Sequence, residues 1–197
     1  LDAYLPQDYI SQELLRIEIY KRIAMIDSPQ AHLDIQDELI DRFGDVPRIV
    51  EQCLDPESIR WTTVPLGYDE AMGRDWVETS HQDWGVEGAN RLWAIEAVAD
   101  DDTEHAHEFL GTIDVRPRGG GLGAIGFGLH PEGRGRHLMT GALRLATQWW
   151  FEQGGVRMFW DANAGNFASW RVAWACGFTF QGVIPQGLDH RGTVVDA

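Results

Sequence analysis

The sequence predicts an α/β (α+β) chain in which strands alternate with helices behind a two-helix N-terminal segment. Three observations carry that prediction. Residues 123–178 read without interruption as strand, glycine-arginine loop, helix, strand and second helix. A glycine cluster with strand-like sequence on both sides precedes that run. Residues 1–44 show helical spacing of apolar side chains.

Taken in order, residues 1–44 are an extended lead and two helices. Ser11 is placed to cap the first, Ile10 and Leu15 to form a hydrophobic staple, and Leu15, Ile19, Ile23 and Ile26 to line one face. Ser28-Pro29 opens the second, Ile35, Leu39 and Phe43 continue its apolar face, and Gly44 stops it. The composition then changes. The one lysine, Lys21, comes earlier, all nine tryptophans lie at or after Trp61, and Gly44 is the only glycine before Gly67, so a boundary is expected near residue 45.

Residues 111–116 and 124–129 read as strands, with Gly119 to Gly123 as the hairpin turn between them. Gly121-Leu122-Gly123-Ala124-Ile125-Gly126 matches G-x-G-x-x-G, but it opens a strand where a dinucleotide fingerprint must open a helix. No Lys-Ser/Thr pair follows any glycine cluster, so a P-loop is unsupported as well. His130-Pro131 stops the second strand. After Gly133-Arg134-Gly135-Arg136-His137, the residues Leu138, Ala142, Leu145, Ala146, Trp149 and Trp150 recur at helical spacing. A helix therefore starts beside a glycine loop. Its first-turn N–H groups lack intrahelical partners and carry the positive end of the dipole, which suits a phosphate or diphosphate, and Arg134 and Arg136 add charge there. Residues 156–160 form the next strand, ended by Asp161. Gly165-Asn166 turns the chain into a helix bearing Ser169, and Gly177-Phe178 follows.

At 197 residues, 44% hydrophobic and 11% aromatic, the chain can hold a good-sized core without covalent staples. No apolar run approaches a membrane span and no signal-peptide pattern opens the sequence, so the expected location is cytoplasmic, with Leu1-Asp2 as a cut start. Cys53 and Cys176 are read as buried or incidental thiols. His105 and His107 fall in a polar loop without zinc-ligand spacing, so no metal is expected. A net charge of -15 argues against nucleic acid and against acidic acceptors. Arg116, Arg118, Arg134, Arg136, Arg144 and Arg157 nevertheless meet few acids before Asp161, an arrangement suited to an anionic cofactor with a cationic amine approaching from the acidic side.

Trp61-Thr62-Thr63-Val64-Pro65, Gly111-Thr112-Ile113-Asp114, Gly126-Phe127-Gly128-Leu129-His130-Pro131, Arg134-Gly135-Arg136, Asn166-Phe167-Ala168-Ser169 and Gly177-Phe178 stand in a telling order. That order resembles the GNAT superfamily of acyl-CoA-dependent N-acetyltransferases, and within it the ribosomal-protein N-terminal acetyltransferases, over residues 46–197. The resemblance implies a twisted mixed sheet, splayed at its centre and flanked by helices, with acetyl-CoA as cosubstrate in the splay. The diphosphate would lie on Arg134, Gly135, Arg136, His137 and Leu138. The pantetheine would run along Gly128 and Leu129 like an added strand, with Asn166 bonding its amides or holding the turn. The acceptor implied is a protein N-terminus or a small-molecule amine.

Two catalytic candidates come with the resemblance. Asp161 stands where some relatives carry a glutamate proposed as base, and reads equally as a strand-end aspartate capping a turn. Ser169 stands where a serine is proposed to protonate the leaving thiolate, and reads equally as a small residue of a first helical turn. The tyrosine that many relatives place four residues before Gly-Phe is Ala173 here, and small residues of the family loop are replaced by His137 and Met139. His137 would crowd a phosphate at a close backbone approach. Trp149, Trp150, Trp160, Trp170 and Trp174 are expected in the core, while Trp61, Trp76 and Trp84 serve an acceptor pocket or packing.

Residues 1–44 resemble the C-terminal domain of the bacterial transcription-repair coupling factor through Asp2-Ala3-Tyr4-Leu5-Pro6, Asp8-Tyr9-Ile10, Arg16-Ile17-Glu18-Ile19-Tyr20 and Glu38-Leu39-Ile40-Asp41-Arg42-Phe43-Gly44. No helicase motor motif accompanies them, which implies a fragment of a partner-regulating domain. The acetyltransferase-like pattern lacks its first strand, and residues 191–197 only begin its last. A chimera, a fragment pair or an assembly product would explain this, and a non-catalytic interaction module is the alternative to an enzyme. A missing first strand would expose its neighbour's edge, to be filled by residues 2–6 or by strand exchange in a homodimer.

Overall fold

The computed structural model describes residues 13–26, 28, 31, 46–97 and 108–197. The chain divides into two compact units, Leu1–Pro47 and Arg48–Ala197. In the first, α1 (Glu13–Ile23) buries Ile19, whereas Ile23, expected on the same face, is exposed. Ile23 closes the helix at the turn through Ala24 and Met25, so the apolar face is shorter than its spacing suggests. Ser28 Oγ accepts the Ala31 N–H at 3.2 Å, as a capping serine does. The Ser11 cap, the Leu15 side chain, the rest of the second helix, residues 2–6 and the loop of His105 and His107 lie outside the described residues.

Three helices lead into the second unit: α2 (Val46–Leu54), α3 (Pro56–Trp61) and α4 (Glu70–Trp84). Asp55 caps α3 by accepting the Ser58 N–H, with Pro56 at the first position, and Asp69 caps α4 through Met72. The strands β1 (Arg91–Ala97), β2 (Glu108–Gly119), β3 (Leu122–Leu129) and β4 (Arg157–Phe159) form one sheet in that order. The first three are antiparallel and β4 joins β3 in parallel, so the sheet is mixed. The β2–β3 hairpin turns at Gly120 and Gly121 with φ of 59° and 75°, left-handed values that glycine takes without strain.

Strand alternation puts Ile113, Val115 and Ile125 on one face, where they pack against α5 (Leu138–Glu152). The buried stripe of α5 is Met139, Leu143, Ala146 and Trp150, in steps of four, three and four. Leu145, expected on that face, is 70% exposed, because two residues beyond Leu143 is roughly 200° around the helix. α6 (Phe167–Ala175) packs on α5, and Trp174 points outward, 65% exposed, against its expected burial. Trp76 joins a second cluster with Ile49, Tyr68 and Phe109, and Trp84 meets Trp93 edge-on at 5.5 Å, so both pack. β5 (Leu188–His190) and β6 (Thr193–Val195) pair with each other in a two-stranded sheet, which gives the C-terminal strand a hairpin of its own. At the other side of the main sheet, β1 is paired on one edge only among the described residues. Cys53 and Cys176 are free, and burial pushes the Cys53 thiol up to about 11. No helix among the described residues is long and apolar enough to cross a membrane.

Candidate active site

β3 pairs with β2 to its end at Leu129, but with β4 only at Leu122–Arg157, Gly123–Met158 and Ala124–Phe159. From Ile125 onward the β4-facing edge of β3 has no ladder partner among the described residues. The two strands diverge, and this divergence is the splay. Backbone N–H and C=O groups on such an edge need partners, so it suits an extended ligand that carries amides. Gly128 and Leu129 lie on this stretch. Phe127 and Trp160 stack nearby at 6.2 Å with 9° between their planes.

β3 runs into a single 3-10 turn, Pro131–Gly133, capped by His130, and then into the glycine-arginine loop. Gly135 has φ 73° with open space where a Cβ would stand, so conformation and not crowding demands glycine there. His137 is also left-handed, at φ 60°, which gives a second reason for glycine at that position. It is exposed and is the N-cap of α5 without a side-chain cap bond. No acidic residue stands in the first turn of α5, so its N–H groups and dipole face outward uncompensated.

Arg134 does not present a free cation. Its Nη2 donates to Asp55 Oδ2 at 2.5 Å, to Ser58 Oγ at 3.2 Å and to the Leu129 carbonyl at 3.3 Å, so the side chain ties the loop to the start of α3. Burial pushes the Asp55 carboxyl upward, but the bonds from Arg134 and from the Ser58 N–H outweigh it and hold the group below its ordinary range. Arg136 is exposed, and its charge helps hold the Glu132 carboxyl below its ordinary range behind the larger effect of Arg48.

Asp161 lies two residues beyond β4 and pairs with Arg118 at 3.1 Å. Asn166 is the N-cap of α6, and its Oδ1 accepts the Ser169 N–H at 3.3 Å, so its oxygen holds the turn. Ser169, the third residue of α6, is half-buried. Asp161 and Asn166 line a cleft of about 730 Å³ together with Phe151, Trp170, Trp174 and Phe180, and Ser169 does not. Ala173, where many relatives carry tyrosine, is buried at 1% exposure.

Sequence reasoning missed two polar groups on the sheet face opposite α5. Asp114 pairs with Gly126, and a Cβ on Gly126 would stand 2.6 Å from Asp114 Oδ2, so glycine makes room for the carboxylate. Gln52 of α2 lies over Gly128, its Nε2 3.3 Å from where a Cβ would be. Burial pushes the Asp114 carboxyl above its ordinary value, against the pull of the Arg116 guanidinium and the Gly126 N–H. Arg116 Nε pairs with Asp114 Oδ1 at 2.7 Å, while the buried Gln52 Oε1 has no hydrogen-bond partner. The signal in the sequence was an aspartate between two core residues of one strand. No cluster of His, Cys, Asp and Glu among the described residues has the makings of a metal site.

Comparison with known proteins adds two kinds of likeness. Residues 1–75 match the TRCF domain. They are similar to the transcription-repair-coupling factors of Staphylococcus epidermidis, 48% identical over 69 residues, and of Staphylococcus aureus, 48% over 60. These stretches cover 35% and 30% of this chain, and the chain spans only 6% and 5% of those proteins. Among solved structures, the fold is similar to the microcin C7 self-immunity acetyltransferase in complex with acetyl-CoA and AMP. That match has TM-score 0.65 and 16% identity, over 79% of this chain and 84% of that one. The ribosomal L7/L12 α-N-protein acetyltransferase in complex with coenzyme A matches with TM-score 0.63 and 18% identity, over 78% and 85%. The ribosomal-protein-S5-alanine acetyltransferase of Vibrio fischeri gives 0.63 and 18%, over 78% and 84%. The acetyltransferase (GNAT) domain profile matches residues 40–179, overlapping the TRCF match at 40–75. Since that profile takes in well over half of the chain, and the splayed mixed sheet is present, the protein belongs to the GNAT acetyltransferase family.

Proposed function

We propose that this chain is an acetyl-CoA-dependent N-acetyltransferase whose acceptor is a protein N-terminus or a small-molecule amine. The observation that carries the reading is the β4-facing edge of β3, which from Ile125 to Leu129 has no ladder partner among the described residues and leads into the glycine-arginine loop and the start of α5. The residues present fit the cosubstrate. Gly128 and Leu129 offer backbone groups to the pantetheine amides, and Gly135, His137 and Leu138 bring backbone N–H groups to the diphosphate. Arg136 supplies charge there, while Arg134 anchors the loop. Residues 1–45 are the helical segment and 46–197 the acetyltransferase-like domain.

Bound acetyl-CoA supplies an activated acetyl thioester. The chain's own residues handle the amine and the protons. Asp114, ion-paired with Arg116 on the sheet face opposite α5, adds negative charge on the side from which a cationic amine would approach. As the amine nitrogen bonds to the acetyl carbon and the carbon–sulfur bond breaks, Asp161 takes one amine proton on the oxygen that Arg118 leaves free. The Ser169 hydroxyl gives its proton to the departing thiolate, and the proton on Asp161 returns through solvent to Ser169. Asn166 holds the turn that places Ser169.

Calorimetric titration with acetyl-CoA and CoA tests the reading: folded protein that binds neither refutes it. Thiol release with peptides and small amines should fall by roughly 10²-fold in Ser169→Ala and in Asp161→Asn. A second reading, a partner-binding module with a non-catalytic acyl-CoA fold, is favoured by the similarity of residues 1–75 to the TRCF domain and by His137 in the loop. It predicts no thiol release with any amine, so turnover lost in either variant refutes it.

A further inference from the structure

We propose that His130 is a positioning residue that sets the glycine-arginine loop for a diphosphate by pinning it to α2. The inference rests on the acetyltransferase reading above. His130 is 4% exposed, the buried polar residue at the point where β3 becomes the loop. Its N–H donates to the Leu110 carbonyl at 2.9 Å, and its carbonyl accepts the Gly133 N–H at 2.9 Å. Both ring nitrogens are used. Nδ1 lies 3.2 Å from Arg48 Nη2 and 3.3 Å from the Glu132 N–H, two donors that require it to accept. Nε2 therefore carries the proton and donates to Glu51 Oε2 at 3.1 Å.

Arg48 extends the tie, donating through Nε to the Phe109 carbonyl at 2.9 Å and pairing with Glu108 at 2.9 Å and Glu132 at 2.8 Å. Gly133 closes the 3-10 turn against β2 so tightly that a Cβ would stand 2.7 Å from the Leu110 carbonyl oxygen. The imidazole thus joins α2 to the first turn of the loop through directed bonds, while the His130 backbone N–H ties the same point to Leu110 of β2, and residues 134–138 take their starting direction from that turn. An apolar ring would fill the same space without desolvating two nitrogens, so the polar choice serves direction and not volume.

The test compares His130→Leu, which loses all three ring contacts, with His130→Asn, whose Oδ1 can replace Nδ1 as acceptor. Each folded protein is titrated calorimetrically with CoA and with pantetheine, which lacks the diphosphate. His130→Leu is expected to weaken CoA by about tenfold, the worth of one or two lost hydrogen bonds, and to leave pantetheine unchanged. His130→Asn should recover most of the CoA affinity. If His130→Leu does not fold, Glu51→Leu removes the Nε2 partner at an exposed position and should weaken CoA about threefold, again sparing pantetheine. Unchanged CoA affinity in these variants, or equal weakening of both ligands, overturns the inference. Wild-type protein that binds neither ligand overturns the acetyltransferase reading itself.

Discussion

Replacing Asp55 by Asn separates the two jobs open to Arg134, anchoring the loop and contacting a diphosphate. The ion pair it breaks is short, 2.5 Å, with Asp55 14% and Arg134 37% exposed. A charge-assisted bond of this kind contributes about 1.5–3 kcal/mol, and the partial exposure of the guanidinium lowers that to about 1–2 kcal/mol. At about 2–4 °C per kcal/mol for a domain of this size, thermal denaturation near neutral pH should show a Tm lower by roughly 2–8 °C. The sign with pH follows from the depressed Asp55 carboxyl. Its contribution is full above the ordinary value of 3.8 and is lost as pH falls through the lower folded-state value. The two proteins should therefore converge in acid. CoA titration reads the second job: if Arg134 anchors, Asp55→Asn loosens the loop and CoA binds more weakly. A variant that binds CoA more tightly, or whose deficit at about pH 3 equals that at neutral pH, would refute the anchoring argument.

Arg136→Ala should weaken CoA about three- to tenfold and flatten the salt dependence of binding, as expected for an exposed cation at the loop; a calorimetric salt series checks it. His137→Gly relieves a left-handed backbone at a cost of about 1 kcal/mol, so the Tm should rise by roughly 2–4 °C and CoA should tighten at every pH. Weaker CoA binding in that variant at low pH alone would show instead that the imidazolium bonds the ligand. For Asp114 the folded carboxyl is raised above 3.8, so the folded state binds the extra proton and stability falls as pH rises from 3.8 through the folded value. Asp114→Asn should abolish that fall in pH-dependent denaturation, and an unchanged slope would contradict it. Finally, the one-sided β1 is expected to be covered by a second chain; sedimentation as a stable monomer would exclude that.

Residues 123–178 were legible because each element there announces itself locally, by a proline after a strand, a glycine turn or an Asn cap. What failed was whatever depends on a partner far along the chain. Arg134 reads as a free cation in the sequence, yet the carboxylate that holds it is 79 residues earlier. His130 reads as a strand stop beside Pro131, while its ring partners Glu51 and Arg48 lie 79 and 82 residues away. Asp114 gains its place over Gly126 from strand register, which no local word specifies. Leu145 and Trp174 failed for a different reason: apolar content says that a side chain packs somewhere, and only the helix phase says on which side.

These partners also change what the site relies on. The sequence suggested a basic patch drawing an anion into a chain of net charge -15. In the folded protein Arg116, Arg118 and Arg134 are paired with Asp114, Asp161 and Asp55. Arg136 is the exposed loop cation, and it shares its charge with Glu132. Recognition of a diphosphate then falls on backbone N–H groups at the start of α5, whose worth depends on direction far more than on charge. Residues that set the direction should consequently matter more than residues that carry charge. Asp55, His130 and Gly135 are of the first kind, and His137 holds a left-handed turn that glycine would take more easily. On this argument the loop binds by being held in shape from two sides, through α2 at one end and α3 at the other.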